Sequence, residues 1–316
     1  MKIDAVITWV NGNDAAHRAK RVVWGNSNLF QTEDKAADTL FADIGEIFWC
    51  VASLNRFATW LNKIYIVTDD QNPNLESFLR ANFGEEYIPF EIIDHKVIFK
   101  GYEEYLPTFN SISIETMTWR IPGLSDCYIE FNDDLVLLAP VRQEDFFTED
   151  GKVICYADWA CLPITRLTRL LKSSGKVTTK GSHTNGALVA GEKIWYLRLA
   201  HSQKALRRDF YQEYFKSHPG NLIRNISYRF RNADQFTSQE LQYLSLYRSD
   251  KCIVRSAKGN LFFFQPKSKK GYFDNKMHEL MSFKGKFACF NSMDLASKEE
   301  IQTLKEWLEN KLSVRF

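Results

Sequence analysis

The fold class is decided by the segment Ile3-Asp4-Ala5-Val6-Ile7-Thr8-Trp9-Val10, which is followed by Asn11-Gly12-Asn13-Asp14. A short, mostly apolar run that ends in turn-forming residues predicts a buried strand. Asp4 lies inside this run, where a charged side chain requires a partner. The first predicted strand is therefore buried, and several polar residues follow its carboxyl end.

Extended and helical segments alternate through the rest of the first half. Such alternation without an obvious hairpin predicts an α/β fold, with a mostly parallel sheet and helices on both faces. The second half is less regular and more helical, so we expect one domain (1–316) with an α/β half (1–150) and a helical half (151–316). Helices are predicted over 44–60, 75–83 and 107–120, and strands over 62–68, 90–93 and 127–131.

Two capping boxes are predicted in the second half. Thr237-Ser-Gln-Glu240 and Ser297-x-x-Glu300 have the form of this motif and each precedes an apolar helical pattern. The six cysteines lie mostly in apolar surroundings and form no Cys-x-x-Cys pair, so we expect buried free thiols.

Composition and charge exclude several classes of protein. The chain has 316 residues, 45% of them hydrophobic, and its 41 basic and 39 acidic residues give a formal net charge of +2. These values exclude a disordered chain and give no support to a nucleic-acid partner. The longest apolar runs, such as 135–141, are too short to span a bilayer. No signal-peptide pattern precedes the first strand, so we expect a cytoplasmic protein.

The polar residues at the predicted strand ends indicate where chemistry occurs. Ligands of parallel sheets bind at the carboxyl ends of the strands, and Asn132-Asp133-Asp134 follows a predicted strand directly. Adjacent carboxylates at such a place can hold Mg²⁺, although the same three residues also favour a solvated turn. The sequence lacks the P-loop, the G-x-G-x-x-G and the G-x-S-x-G motifs.

Four groups of segments resemble, in order, the four blocks of the Stealth family. That family comprises bacterial capsular polysaccharide phosphotransferases and the lysosomal-enzyme N-acetylglucosamine-1-phosphotransferase. The sequence differs from the family pattern at Asp69-Asp70 and at Ser292. The matching segments are 3–14 for the first block, 63–68, 106–115, 120–125 and 131–134 for the second, 200–201 and 228–234 for the third, and 287–294 for the fourth.

The resemblance implies a glycosyltransferase-A-like core that binds a nucleotide sugar. It also implies transfer of hexose- or N-acetylhexosamine-1-phosphate from a UDP-sugar to a glycan hydroxyl, with release of UMP, in capsular or cell-surface polysaccharide biosynthesis. The implied cofactor is Mg²⁺ or Mn²⁺. The implied site residues are Asp4, Asp134, His201 and Arg231 for catalysis, Asp133 and Asp134 for the metal, and Thr8, Trp9, Asn11, Gly12, Thr68, Asn110, Glu115 and Asn132 for the nucleotide sugar.

Several alternatives remain open at this stage. Asp4, Asp134 and His201 are each candidates for the general base, and Arg231 is suited to pair with phosphate oxygens. A metal-dependent glycosyltransferase that releases UDP, or a glycan-binding protein without turnover, would carry some of the same features. The resemblance further implies a lipid-linked acceptor. The basic runs 166–180 and 267–270 are candidates for contact with anionic lipid at the inner face of the membrane or with a phosphorylated acceptor, and ordinary surface solvation is the alternative.

Overall fold

The structure, a computed structural model, describes residues 1–25, 41–172 and 179–316. The central part of the predicted basic run 166–180, residues 173–178, therefore lies outside the described residues. The strands are β1 (Ile3–Thr8), β2 (Ile64–Thr68), β3 (Phe90–Asp94), β4 (Cys127–Asn132), β5 (Leu135–Leu137), β6 (Val153–Cys161), β7 (Trp195–Leu199), β8 (Lys204–Arg207), β9 (Cys252–Arg255), β10 (Leu261–Phe264) and β11 (Phe287–Phe290).

The main sheet contains five strands in the order β3-β2-β1-β4-β8. The pairs β2–β3, β1–β2 and β1–β4 are parallel, and only β8 at the end of the sheet is antiparallel to its neighbour. β1 is buried along almost its whole length, as its continuous apolar pattern predicts for an inner parallel strand. The predicted α/β fold with a mostly parallel sheet is confirmed.

Two smaller sheets of three strands, β10-β11-β5 and β7-β6-β9, accompany the main sheet. β5 directly follows the end of β4 and pairs with β11 from the end of the chain. β8 likewise comes from the second half and completes the main sheet beside β4. The two predicted halves are therefore interleaved by strand pairing. Their division near residue 150 stays a prediction.

The structure differs from the predicted helices at 107–120. Instead of one helix over 107–120, the chain forms a five-residue helix that begins after Asn110 and then a short 3₁₀ turn. The helices are α1 (Ala15–Gly25), α2 (Glu46–Phe57), α3 (Leu75–Phe83), α4 (His95–Ile98), α5 (Ser111–Glu115), α6 (Leu162–Lys172), α7 (Thr179–Val189), α8 (Arg208–Ser217), α9 (Pro219–Ile226), α10 (Ser238–Arg248), α11 (Tyr272–Ser282) and α12 (Lys298–Leu312).

The two predicted capping boxes have different outcomes. Ser297 and Glu300 form both bonds of the box at the start of α12, so that prediction is confirmed. Thr237 makes no side-chain cap at the start of α10. Glu240 instead accepts a hydrogen bond from the backbone N–H of Leu197 at 2.6 Å. The capping box at 237–240 was wrong, because a buried strand N–H requires that carboxylate.

Buried apolar side chains form two clusters. The larger one surrounds the main sheet, and the smaller one lies between β5, β10, β11 and the helices α2, α11 and α12. All six cysteines are free and five are buried, which confirms that prediction. Among the described residues, no helix is both long enough and apolar enough to cross a membrane.

Candidate active site

The carboxyl ends of the parallel strands form one edge of the main sheet. Thr8 at the end of β1 lies opposite Asn132 at the end of β4, and Thr68 lies opposite Asp94. Because β8 is antiparallel, its first residue rather than its last lies at this edge, and Lys204 pairs with Glu130. Acidic and basic side chains from distant parts of the chain therefore meet at the same edge.

Asp134 lies among these acidic and basic side chains. Its Oδ2 atom accepts hydrogen bonds from Asn291 Nδ2 at 3.3 Å and from Cys289 Sγ at 3.4 Å. The pairing of β5 with β11 fixes this arrangement, since Phe290 N donates to the Asp134 carbonyl at 2.9 Å. Ligand atoms of Asp134, His201 and Cys289 lie within 4.8 Å of one another.

The oxygen atoms around Asp134 fit a hard divalent cation. Asp134 Oδ1 and Asn132 Oδ1 are both buried, and neither has a hydrogen-bond partner among the described residues. Burial, reinforced by the charges of Asp134 and Glu46, raises the pKa of Asp133 well above its usual value. Burial also raises the pKa of Glu46 to about 7. Crowded carboxyl groups and orphaned oxygens are the donors that Mg²⁺ and Mn²⁺ prefer.

Cys289 acts as a hydrogen-bond donor here rather than as a thiolate. Burial and the neighbouring charge of Asp134 raise the pKa of the Cys289 thiol well above its usual value. A protonated thiol is a poor ligand for a hard cation, which prefers oxygen. The oxygen atoms of Asn132, Asp133 and Asp134 are therefore the better metal set.

The His201 side chain is partly surrounded by protein atoms and is also accessible to solvent. Its side chain is exposed at the surface and its ring lies 5.8 Å from that of Phe263. Desolvation by the surrounding protein atoms lowers the pKa of His201, while Asp134 partly offsets this shift and Lys204 adds to it. The imidazole is consequently neutral at pH 7, the form in which it can accept a proton.

A buried network holds Glu115, the last residue of α5. Gln239 Nε2 donates to Glu115 Oε2 at 3.0 Å and to Glu130 Oε1 at 2.6 Å. Lys204 Nζ lies 3.5 Å from the same Glu130 oxygen. The pKa of Glu130 is raised to about 7, chiefly by burial and then by the charge of Glu115. The ammonium group of Lys204 thus interacts electrostatically with both Glu130 and Glu115.

Arg231 is exposed, and its guanidinium donates to Ser111 Oγ at 2.8 Å. Ser111 begins the helix that ends at Glu115, and the charge of Arg231 also influences His201. The contact places a guanidinium beside the carboxylate and imidazole groups. Its remaining donors suit phosphate oxygens.

The predicted nucleotide-sugar residues after β1 and β2 lie along the same edge. Trp9 is buried and donates its backbone N–H to the carbonyl of Val67 at 3.0 Å. Gln71 holds Asn11 through two reciprocal hydrogen bonds, at 2.9 and 3.0 Å. Thr68 Oγ1 is buried without a hydrogen-bond partner in the described part of the chain. The edge therefore extends from the Asp134 centre toward β2.

Gly12 is required by close packing of the loop after β1. Its N–H donates to the carbonyl of Phe41 at 2.8 Å. A Cβ atom at this position would overlap that carbonyl group. The structure thus shows Gly12 as a loop-packing residue.

One predicted site residue, Asp4, is not brought to this edge by the structure. Asp4 lies near the amino end of β1, about 13 Å of strand away from Thr8. It accepts hydrogen bonds from Asn62 Nδ2 at 2.6 Å and from the Ser125 N–H at 2.7 Å. These bonds satisfy the buried carboxylate and link neighbouring loops, and a catalytic role for Asp4 stays a prediction.

The side chain of Asn110 also makes structural hydrogen bonds. Its Nδ2 atom donates to the Tyr228 carbonyl at 3.0 Å and to Gln235 Oε1 at 2.8 Å. Its Oδ1 atom caps α5 by accepting from the N–H of Ile112. These bonds position α5, and binding of the nucleotide sugar by Asn110 stays a prediction.

Four residues of the site were missed by sequence reasoning, namely Glu130, Lys204, Gln239 and Asn291. Glu130 did carry a signal, because an acid between Ile129 and Phe131 in a buried strand requires a partner. Nothing local identifies Lys204 or Gln239 as that partner, since both come from distant segments.

Comparison with known proteins agrees with the sequence resemblance. Residues 1–28 match the model of Stealth protein CR1, conserved region 1, and residues 40–155 match that of Stealth protein CR2, conserved region 2. The assignments of the third and fourth blocks rest on the sequence resemblance alone.

Similar curated proteins are named as polysaccharide phosphotransferases. The receptor polysaccharide phosphotransferase WefC of Streptococcus gordonii is 40% identical over 151 residues, which are 48% of this chain and 42% of that protein. The chain thus matches less than half the length of this relative. The capsular polysaccharide phosphotransferase LcbA of Neisseria meningitidis is 30% identical over 281 residues, 82% of this chain and 70% of that protein.

The chain also resembles a solved structure of a galactosyltransferase, LgtC, in complex with donor and acceptor sugar analogues. The TM-score is 0.48 at 9% identity, over 99% of this chain and 96% of that chain. This distant likeness does not bear on the choice of reaction. The match to LcbA over most of both chains, together with the two family models, shows that this chain belongs to the Stealth family.

Proposed function

We propose that this protein transfers hexose- or N-acetylhexosamine-1-phosphate from a UDP-sugar to a hydroxyl group of a glycan. The acceptor oxygen forms a bond to the phosphorus that carries the sugar. The bond from that phosphorus to the bridging oxygen breaks, and UMP leaves with the bonding electrons. The product is a phosphodiester between the transferred sugar and the acceptor glycan, a linkage of capsular or cell-surface polysaccharides.

The observation that carries this proposal is the meeting of Asp134 and His201 within 4.8 Å, in a chain of the Stealth family. Exposed Arg231 lies close enough for its charge to influence His201. Phosphoryl transfer depends on such positioning of opposite charges, since negative charge spreads over the phosphate oxygens in the transition state.

Each side chain takes a distinct role in the proposed mechanism. His201 accepts the proton of the acceptor hydroxyl, because its lowered pKa keeps the imidazole neutral at pH 7. Arg231 binds oxygens of the transferred phosphate through its free donors. Asp134 faces the His201 ring and stabilises the imidazolium that forms. Glu115, held by Gln239, orients the sugar of the donor.

A divalent cation would be held by Asn132, Asp133 and Asp134, whose oxygens include two buried atoms without partners in the described residues. When bound, Mg²⁺ or Mn²⁺ would neutralise charge on the donor diphosphate. We further propose a glycosyltransferase-A-like core, in which the half 1–150 binds the nucleotide sugar and the half 151–316 binds the acceptor. The acceptor would be lipid-linked, at the cytoplasmic face of the membrane.

A screen of nucleotide sugars for nucleotide release tests the reaction. We expect UMP, and mass spectrometry of the product should show one added hexose phosphate or N-acetylhexosamine phosphate. Asp134→Ala and Arg231→Ala should abolish release while circular dichroism stays unchanged. Asp250→Asn, which removes an exposed acid remote in sequence, is the matched control and should keep full activity. Release of UDP instead would identify a glycosyltransferase, and full activity of Asp134→Ala would refute the assigned site.

A further inference from the structure

Helix α6 exposes an apolar face that no other described element covers. The exposed fractions are 62% for Ile164, 58% for Leu167 and 78% for Leu171. Spacings of three and four residues place these side chains on the same side of the helix. The helix is attached to the protein at its start, where buried Leu162 donates its N–H to the Ile194 carbonyl at 2.8 Å.

The apolar face continues onto the beginning of β7. Ile194 is 59% exposed and Trp195 is 51% exposed. Trp195 lies opposite Cys161, the residue that immediately precedes α6. We call the five residues Ile164, Leu167, Leu171, Ile194 and Trp195 the α6 patch.

Basic side chains predominate around the α6 patch. Exposed Arg166, Lys180 and Lys193 lie in the segments that form or border the patch. The nearest acid, Glu192, is already paired with Arg248 at 2.7 Å. Between Asp158 and Glu192 the described residues include no aspartate or glutamate.

An anionic lipid surface matches both properties of the patch. A helix with one apolar face and basic residues elsewhere lies in the membrane interface, where tryptophan is also favoured. Each basic residue near the surface gains from the negative potential of acidic lipids. The core of a protein interface, by contrast, is depleted in lysine. Charge complementarity therefore favours a membrane over a protein partner.

We propose that the α6 patch docks this protein on anionic membranes. The docking itself is independent of the reaction, and its use in catalysis rests on the proposed function. β7 connects the patch to the candidate active site, because Trp195 begins the strand and His201 follows its end. Six residues of extended chain span about 20 Å at most. A lipid-linked glycan could bridge this distance from the bilayer to His201.

Vesicle flotation at physiological salt tests the docking with the full chain. The probes are vesicles of phosphatidylcholine alone and of phosphatidylcholine with 30% phosphatidylglycerol, on the order of the anionic content that basic segments respond to. We expect the protein to float with the anionic vesicles only. Leu167→Ser/Leu171→Ser should lower the partition coefficient at least about tenfold, because two aliphatic side chains no longer enter the bilayer.

Two controls separate the patch from general charge and from loss of folding. Lys269→Ser/Lys270→Ser removes two charges from the other basic run and should float like the wild type. Nucleotide release with a soluble acceptor should be the same for Leu167→Ser/Leu171→Ser and the wild type, which also reports that the variant is folded.

Two results would overturn the proposal: no flotation of the wild type with anionic vesicles, or flotation of Leu167→Ser/Leu171→Ser equal to that of the wild type. A lipid-independent dimer that the double substitution disrupts, without any vesicle binding, would also overturn it by showing a protein interface. Failure of UMP release with intact flotation would refute the proposed reaction and leave the docking site standing.

Discussion

Replacement of Lys204 by Met should produce a loss of stability that grows with pH. Lys204 Nζ lies 3.5 Å from Glu130 Oε1, and Glu130 is fully buried. Burial raises the pKa of Glu130 from 4.5 to about 7. The folded state thus holds this proton more tightly than the unfolded state. Its stability falls as the pH rises from 4.5 to 7 and changes little through this group at higher pH.

The size of the effect follows from these pKa values. In the wild type, Glu130 ionises near pH 7 because Lys204 compensates its charge. In Lys204→Met, Glu130 should stay protonated in the fold well above pH 7, and each further pH unit then costs about 1.4 kcal/mol of stability. The variant should therefore lose about 1 kcal/mol more at pH 8 than at pH 6. The negative charge of Glu115, the other carboxyl group of the network, raises the pKa of Glu130 in the same direction.

Urea unfolding at pH 6 and pH 8 measures the difference. Adding Glu130→Gln to Lys204→Met should abolish the additional pH dependence of the variant, because the group that causes it is removed. Lys152→Met is the matched control, since Lys152 pairs at 2.8 Å with highly exposed Asp250 and such surface pairs contribute about 1 kcal/mol or less. Equal destabilisation of Lys204→Met at both pH values would refute the proposed coupling of Lys204 to Glu130.

Three further predictions concern the cation, the base and the loop after β1. Mg²⁺ at about 100 times its dissociation constant should stabilise the fold by about 2.7 kcal/mol. This corresponds to a rise of about 4 °C in Tm for a chain of this length. A similar rise in the Tm of Asp134→Asn would contradict the metal site. The midpoint of the rise in the rate of nucleotide release with pH should lie below pH 6.5, because the pKa of His201 is lowered; a midpoint above pH 7 would argue against His201 as base. Gly12→Ala should cost about 1–3 kcal/mol in urea unfolding through overlap with Phe41, whereas Gly220→Ala, with open space around it, should not destabilise.

The order of the elements could be predicted because it depends on local pattern. The continuous apolar run of β1 and the turn residues after it gave both the strand and the edge where ligands bind. Predictions failed where distant residues compete for a polar group. Asn110 ends its extended segment and starts a five-residue helix because Tyr228 and Gln235 hold its amide. No window of sequence around 107–120 contains that information.

The candidate site was predictable in part, and from two different sources. Asp133 and Asp134 follow from their position after a strand, whereas Glu115, His201 and Arg231 came from the family resemblance. Asp4 shows the limit of both sources, because its place in the strand is clear from sequence but its partners Asn62 and Ser125 are not. A charged residue in a buried segment predicts that a hydrogen-bond or ion-pair partner exists but does not identify that partner.

The direction of one strand explains how a nearly neutral chain assembles two opposed local charges. β4 is parallel to β1, so Asn132 and the acids after it leave the sheet at the carboxyl edge. β8 is antiparallel to β4, so it enters the sheet at that same edge, and His201 and Lys204 arrive there from the second half. Had β8 been parallel to β4, its first residues would lie at the opposite edge with Asp4. The antiparallel pairing therefore places an imidazole and an ammonium group beside carboxylates, as the proposed phosphoryl transfer requires. These opposite charges nearly cancel over the chain, whose net charge is +2.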